Sequence, residues 1–354
     1  MKSYILQDIE VLGRATIDDP VCGEDDVLLK TEAVSLCSTD ISYYRGHLAP
    51  VAWPLIPGHE VVGTVVEVGQ RSDPRVSVGD RLTYWGQTDF FGLAEYRVIT
   101  PMLVDVAAEE QNWFVQRGFR DASHAAVAHV PGGMPASTAT LAEPLTSVLR
   151  SLLSCPPTPG DLVVVLGCGP AGLLSIQVLR RLLAAGTIIA MDIDPQRLAL
   201  ATSHGADETA QPLDLEDAAP SKDPGLGFAD YVFDALPHIA TPGRGSGIRT
   251  EAMDMLRAGG TYTIYGATSL PQQINTWPVL AKGLTLRAAP FDVGLFPMRR
   301  TARVLEMAVD LLRRGLIDTG GLITETVHFD HEADVVEAFA YYGSPGRLKT
   351  SILF

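Results

Sequence analysis

The sequence predicts an α/β fold: a doubly wound parallel sheet preceded by a separate β-rich region. Three observations carry this. From residue 161 onward, short apolar β-branched runs alternate with helix-patterned stretches, as in repeated βα units. Residues 1–100 instead give short strands punctuated by turn residues. With 354 residues, 46% of them apolar and 19% charged, the chain can fill about two cores.

In the first region, residues 26–33 (DVLLKTEA) alternate as a strand with one exposed face, and 61–68 (VVGTVVEV) form a second strand ending at Gly69. Gly79-Asp80 turns the chain into a strand at 81–84, and 95–99 is another. Residues 101–130 are less regular. Their helix formers suggest one helix at 109–117, beside the aromatic residues Trp113, Phe114 and Phe119. A helix is expected over 137–153, with Pro144 disrupting its hydrogen bonding. Beyond 161, strands are expected at 162–166, 187–191, 229–234, 261–265, 284–288 and 349–354. Helices should follow at 196–204, closed by Gly205, at 249–258, stopped by Gly259-Gly260, at 298–314 and at 333–341. The Gly/Pro-rich stretches 220–227 and 237–247 read as surface loops.

Composition narrows the partners. A formal net charge of −15 argues against nucleic acid and anionic membrane. No run is long and apolar enough to span a bilayer, and MKSYILQDIE lacks the features of a secretory signal. The cysteines Cys22, Cys37, Cys155 and Cys168 lack paired spacing, so reduced thiols and a cytoplasmic location are expected.

The stretch 161–197 carries the strongest chemical signal. Gly167-Cys168-Gly169-Pro170-Ala171-Gly172 is a G-x-G-x-x-G turn between a predicted strand and a predicted helix. Gly167 makes the tight turn, Gly169 lets backbone approach a pyrophosphate, and Gly172 lets helix pack on strand. The helix N-terminus offers N–H groups to phosphates, with Ala171 and Gly172 as donors because Pro170 has none. Asp192, 20 residues beyond Gly172, stands where a carboxylate accepts both hydroxyls of an adenosine ribose. It would repel a 2′-phosphate, which favours NAD over NADP. Arg197 either lies beside the ribose and softens that preference or is a solvated helix residue.

Three sparse polar signals precede this turn: Leu36-Cys37-Ser38-Thr39-Asp40, Pro57-Gly58-His59-Glu60 and Ala142-Glu143-Pro144. Thiolate, imidazole and carboxylate are all zinc ligands, and three protein ligands with one open position is the catalytic pattern. Taken alone, Cys37 reads more readily as a small buried residue and His59 as a satisfied core histidine.

Together with Gly63, Gly79-Asp80-Arg81, Glu95-Tyr96, Glu143-Pro144-Leu145 and the glycine turn, these signals resemble the medium-chain dehydrogenase/reductase family. They are most similar to its zinc-dependent alcohol and polyol dehydrogenases, in the sorbitol-dehydrogenase-like branch. The resemblance implies a GroES-like β-rich catalytic domain (1–145 and 288–354), a Rossmann domain (146–287) and an active site in the cleft between them. It implies Cys37, His59 and Glu143 as ligands of one catalytic zinc. Glu60 is either a further direct ligand or a neighbour of the metal. Asp40 would orient His59, Thr39 would take the substrate proton, and Ser42 stands where many members have the histidine that completes the relay. No cysteine lies between Cys37 and Cys155, so no structural zinc is expected.

The implied reaction interconverts a secondary alcohol, of polyol, sugar or cyclitol type, and its ketone with NAD. Tyr43, Tyr44, Arg45 and Asp292 are candidates to meet substrate hydroxyls. A zinc-free enone or quinone reductase and a non-catalytic NAD-binding relative are the alternatives. The family implies a homodimer or homotetramer, with an edge strand near 261–265 as a possible contact. Residues 101–130 run about 20 residues longer than the family needs. They could cover the site, join subunits or pack on their own domain.

Overall fold

The computed structural model describes all residues except 51, 87–89, 103–110, 115–118, 123, 213–226, 238, 240–246, 267–270, 273 and 289–290; for 111–114 and 119–122 it describes the backbone. The chain divides into two units, Met1–Arg150 with Pro290–Phe354, and Ser151–Ala289.

The first unit is built on an eight-stranded sheet. Its path runs Glu325–His328, Thr350–Leu353, Val27–Ser35, Glu60–Val68, Arg81–Trp85, Ala125–His129 and Pro101–Met102, and Tyr96–Ile99 pairs with Val27–Ser35 off that path. The alternation of Val27–Ser35 is real: Val27, Leu29, Thr31 and Ala33 face inward. Val27, Leu29, Val34, Val61, Val65 and Leu82 lie in one apolar core, each fully buried, and each such side chain contributes roughly 1.5–3 kcal/mol. Two registers matter for the site. Ser35 pairs with Glu60 on one side and with Ser351 on the other, both antiparallel. The segments just beyond Ser35, at Glu60 and just before Ser351 therefore meet at one end of the sheet.

The second unit is a six-stranded parallel sheet in the order Glu208–Ala210, Thr187–Met191, Leu162–Leu166, Ala229–Asp234, Leu256–Ile264, Thr285–Ala288. In chain order this is 3-2-1-4-5-6, the doubly wound dinucleotide-binding arrangement, with its switch point between the first and fourth strands. Val163, Val164, Val165 and Leu166 are fully buried, as the β-branched run required.

Several expectations need correction. Residues 111–114 do not form part of a helix: Gln111–Phe114 is a strand paired antiparallel with Phe119–Ala122. Residues 109–110 and 115–117 of that expectation, and the side chains of Trp113, Phe114 and Phe119, lie outside the description, as do most of the expected loops 220–227 and 237–247. The long helix at 137–153 is two helices, Ala136–Ala139 and Ala142–Ser154. Pro144 falls in the first turn of the second, where its missing N–H would have had no helical partner. The helix expected at 249–258 ends at Met255, because Leu256 already belongs to the next strand. That strand is flanked on both sides, so the sheet edge lies at Thr285–Ala288 rather than near 261–265.

Candidate metal centre and cofactor turn

The two registers just described bring four groups together in the first unit. Cys37 follows the strand Val27–Ser35 and stands at the N-terminus of the helix Ser38–Tyr44. His59 and Glu60 enter the adjacent strand. Lys349 precedes Thr350–Leu353 on the other side, where Leu36 N donates to Thr350 O at 2.9 Å. Ligand atoms of Cys37, His59 and Glu60 all lie within 4.8 Å of one another, forming a potential metal-binding group among the described residues.

Glu143 is outside that closest set but is buried in the first turn of the helix Ala142–Ser154. The short segment before this helix is tied to the same strand end by a hydrogen bond between the Thr140 and Ser35 hydroxyls.

Asp40 organises the backbone here. Fully buried, it accepts from Cys37 N at 2.9 Å and Gly58 N at 2.8 Å, and its Oδ1 stands 3.6 Å from His59 Nδ1. The His59 ring is further fixed edge-on against Phe90 at 4.8 Å. Phe90, with a left-handed φ of 66°, also packs edge-on against Tyr43. Thr39 Oγ1 lies 3.6 Å from Cys37 Sγ.

The charges explain why these groups want a cation. Burial pushes the Glu60 carboxyl well above the usual range; the Cys37 and Glu143 charges add to this and Lys349 opposes it. Burial also raises Glu143, against the pull of His59, Lys349 and the Ser147 hydroxyl. Desolvation works against the His59 cation, but Asp40 and Cys37 outweigh it and hold its pKa well above the usual value. Burial opposes the Cys37 thiolate, yet His59 and Lys349 bring the thiol down to about 7. Glu60 Oε1 is buried without a hydrogen-bond partner, while Glu60 Oε2 faces the Lys349 ammonium and His59 Nδ1 faces Asp40 at 3.6 Å. A divalent cation among a thiolate, an imidazole and carboxylates would compensate these costs together, so the residues fit zinc.

In the second unit, the strand Leu162–Leu166 runs into the glycine turn, and Gly169 caps the helix Pro170–Arg181. Gly167 needs its φ of 85°, which favours glycine. A Cβ on Gly172 would collide with the Gly167 carbonyl oxygen, whereas one on Gly169 would meet open space. That space lies beside the free N–H groups of the helix N-terminus, including Ala171, and suits a pyrophosphate. Asp192 follows the strand Thr187–Met191 and is 7% exposed. Its two oxygens accept from Cys168 N at 2.7 Å and Asp194 N at 2.9 Å, which draws it up to the glycine turn. Arg197 is ion-paired with Asp194 at 3.6 Å, on the helix that Asp194 caps.

Comparison with known proteins agrees with both halves. Residues 23–100 match the alcohol dehydrogenase GroES-like domain, and residues 170–292 match the zinc-binding dehydrogenase domain. The chain is 31% identical over 275 residues to a probable alcohol dehydrogenase of Mycobacterium tuberculosis, covering 70% of each protein.

The chain belongs to the zinc-binding alcohol dehydrogenase family.

It is 24% identical to the sorbitol dehydrogenase of Bacillus subtilis over 95% of this chain and 93% of that one. It shares its fold over its full length with the alcohol dehydrogenase RspB of Escherichia coli CFT073, solved with NADH, at a TM-score of 0.76 and 23% identity over 99% of that chain. The GroES-like and Rossmann-type domains, and a dehydrogenase of the medium-chain type, follow from this membership.

Within this dehydrogenase, the remaining candidates divide. Ser42 donates its hydroxyl proton to the Ser38 carbonyl at 2.8 Å, one helical turn back. Tyr43 and Tyr44 are buried, the latter against Phe339. Arg45 donates to the carbonyls of Ala340 and Tyr342, and Asp292 caps a turn through Gly294 N.

Lys349 was not legible from the sequence. It is 1% exposed, its ammonium lies 2.5 Å from Glu60 Oε2, and it donates to Leu36 O at 3.0 Å. A lysine leading into the terminal strand Thr350–Leu353 was the signal available. Its partner stands 289 positions away, so no local spacing points to it. Among the described residues, no helix is long and apolar enough to cross a membrane.

Proposed function

We propose that this chain is a zinc- and NAD-dependent dehydrogenase that interconverts a secondary alcohol and its ketone. The observation that carries the reading is the convergence of half-buried Cys37 and His59 on the buried Glu60, with the charge of buried Glu143 near enough to act on Glu60. A redox enzyme without a metal has no use for so costly a concentration of buried acidic groups. Cys37, His59 and a carboxylate would hold the metal. When bound, zinc supplies Lewis acidity toward an alcohol oxygen and NAD accepts the hydride.

The chain's own residues do the rest. Asp40 holds the loop segments of Cys37 and His59 through their backbone N–H groups and keeps His59 in place. The Thr39 hydroxyl, beside Cys37 Sγ, would accept the proton of the substrate hydroxyl at its lone pair while releasing its own proton toward solvent. Ser42 can receive a proton at its lone pair, but its own is directed at Ser38 O. Glycines 167, 169 and 172 and Ala171 bind the pyrophosphate of the cofactor. Asp192, by its charge, selects NAD over NADP, and Arg197, paired with Asp194 at 3.6 Å and acting on Cys168 of the glycine turn, softens that preference. Similarity to a sorbitol dehydrogenase supports a polyol, sugar or cyclitol as substrate. The enzyme acts in the cytoplasm on a small molecule.

We also infer a homodimer or homotetramer joined at the sheet edge Thr285–Ala288. All four of its residues are exposed. Trp277 and Leu280 are 68% and 76% exposed on the helix that precedes it. Light scattering should show the assembly, and Leu286→Lys should weaken it.

The deciding experiment pairs elemental analysis with turnover. Protein purified without chelator should hold about one zinc per chain, and NADH should form steadily with a polyol and NAD. Cys37→Ala should lose both. NADH binding without zinc would favour the enone or quinone reductase; zinc without turnover on any alcohol would favour the non-catalytic relative.

A further inference from the structure

Glu143 is approached by a donor chain that begins at an indole. Trp85 ends the strand Arg81–Trp85, and Glu143 and Ser147 stand one turn apart on the helix Ala142–Ser154. Residues four apart share a helix face. Trp85 Nε1 donates to Ser147 Oγ at 2.8 Å, and Ser147 Oγ donates to Glu143 Oε1 at 3.3 Å. The direction is fixed chemically. An indole N–H can only donate and a carboxylate that serves as a metal ligand can only accept, so the hydroxyl between them must receive from one and give to the other.

This is not the ordinary behaviour of a helical hydroxyl. Ser42 and Thr146 return their protons to the carbonyls four residues back, Ser38 O and Ala142 O. Ser147 gives its proton instead to the side chain four residues back. The indole is itself clamped: the Arg150 guanidinium lies 3.9 Å from the Trp85 ring centroid and 4.7 Å from that of Phe296. Trp85 and Arg150 are 6% and 3% exposed, so this arrangement is shielded from water.

We propose that Ser147, directed by Trp85 and held through Arg150, is a positioning residue that engages Oε1 of Glu143 and so offers Oε2 at the Cys37–His59 centre. The inference rests on the reading of Glu143 as a metal ligand. It makes the metal geometry depend on a hydroxyl and an indole that never touch the metal, and losing such outer partners commonly weakens metal affinity by about 10–100-fold.

Ser147→Ala, Ser147→Thr and Trp85→Phe test it. Trp85→Phe keeps a ring for Arg150 but removes the N–H. Zinc affinity is measured by competition with a chromophoric chelator. Geometry is read from the visible spectrum of the cobalt(II)-substituted protein, and stability from thermal melting of the metal-free protein. Ser147→Ala and Trp85→Phe should each weaken zinc binding by about tenfold or more and shift the cobalt bands. Ser147→Thr should restore both. Trp85→Phe should add nothing in the Ser147→Ala background, because it acts through that hydroxyl. Metal-free melting should fall by no more than the loss of one buried hydrogen bond in Ser147→Ala, and Ser147→Thr should restore it.

Parental zinc affinity and cobalt bands in Ser147→Ala would overturn the proposal while leaving the metal centre standing. Additive effects of the two substitutions, or failure of Ser147→Thr with lowered metal-free melting, would reduce the pair to packing and also overturn it. A parent that takes up no zinc would remove the metal reading itself, and this role with it.

Discussion

Replacing Lys349 with methionine should destabilise the metal-free protein far more than the zinc-loaded one. Lys349 and Glu60 are both buried, at 1% and 0% side-chain exposure, with 2.5 Å between Nζ and Oε2. Removing one partner of a buried pair leaves an uncompensated charge and costs about 3–5 kcal/mol. Glu60 can escape part of that cost by taking a proton, since burial already raises its pKa. The lower end, about 3 kcal/mol, is therefore expected. At roughly 2–4 °C per kcal/mol, the unit should melt about 6–12 °C lower. With zinc bound, the metal supplies the missing positive charge. What remains is the lost hydrogen bond to Leu36 O, about 1 kcal/mol.

The pH dependence has a definite sign. A carboxyl whose folded pKa is raised favours folding below its unfolded pKa, and that advantage is lost as pH rises through the folded value. The metal-free deficit should therefore widen with rising pH. Thermal and urea melts of parent and variant, each with chelator and with zinc, give the four numbers needed. Adding Glu60→Gln to Lys349→Met should recover most of the metal-free loss. A metal-free loss under about 0.5 kcal/mol, or equal losses with and without zinc, would refute the reasoning; the first would mean the pair carries no net stability.

The glycine turn offers a contrast within four residues: Gly172→Ala should cost about 3 kcal/mol or more by forcing a Cβ against Gly167 O, whereas Gly169→Ala should melt like the parent and lose NADH affinity in a titration of cofactor fluorescence. Thr39→Val should lower kcat by about 100-fold or more with zinc content unchanged, and Thr39→Ser should retain most of the rate, as steady-state assays beside metal analysis would show. Glu32 predicts the opposite pH sign to Glu60. Burial resists its charge, but hydrogen bonds from Arg81 and Thr64 outweigh that and hold its pKa below the usual range. Glu32→Gln should cost about 1.5–3 kcal/mol at neutral pH, and urea melts should show the difference fading as pH falls through the folded pKa of Glu32.

What the sequence revealed and what it hid divide along a physical line. The strand Leu162–Leu166, the turn from Gly167 to Gly172 and the carboxylate of Asp192 are legible because each is specified locally, by β-branched composition, by positions where a Cβ has no room, and by a fixed chain length. The same local logic fails at Gln111–Phe114. Glu109, Glu110 and Gln111 are helix formers, but the segment is decided by its antiparallel partner Phe119–Ala122. It fails again at the sheet edge, since only the full strand order shows that Leu256–Ile264 is covered by Thr285–Ala288. At the metal centre, Cys37, His59 and Glu143 stood out as residue types suited to zinc, yet nothing in their spacing says that Ser35 pairs with both Glu60 and Ser351. That double pairing is what carries Lys349 to Glu60. Ser147 and Trp85, 62 positions apart, are hidden for the same reason. The ligating atoms are a matter of chemistry and can be read one residue at a time, whereas the groups that hold and neutralise them are selected by register, and register belongs to the folded sheet.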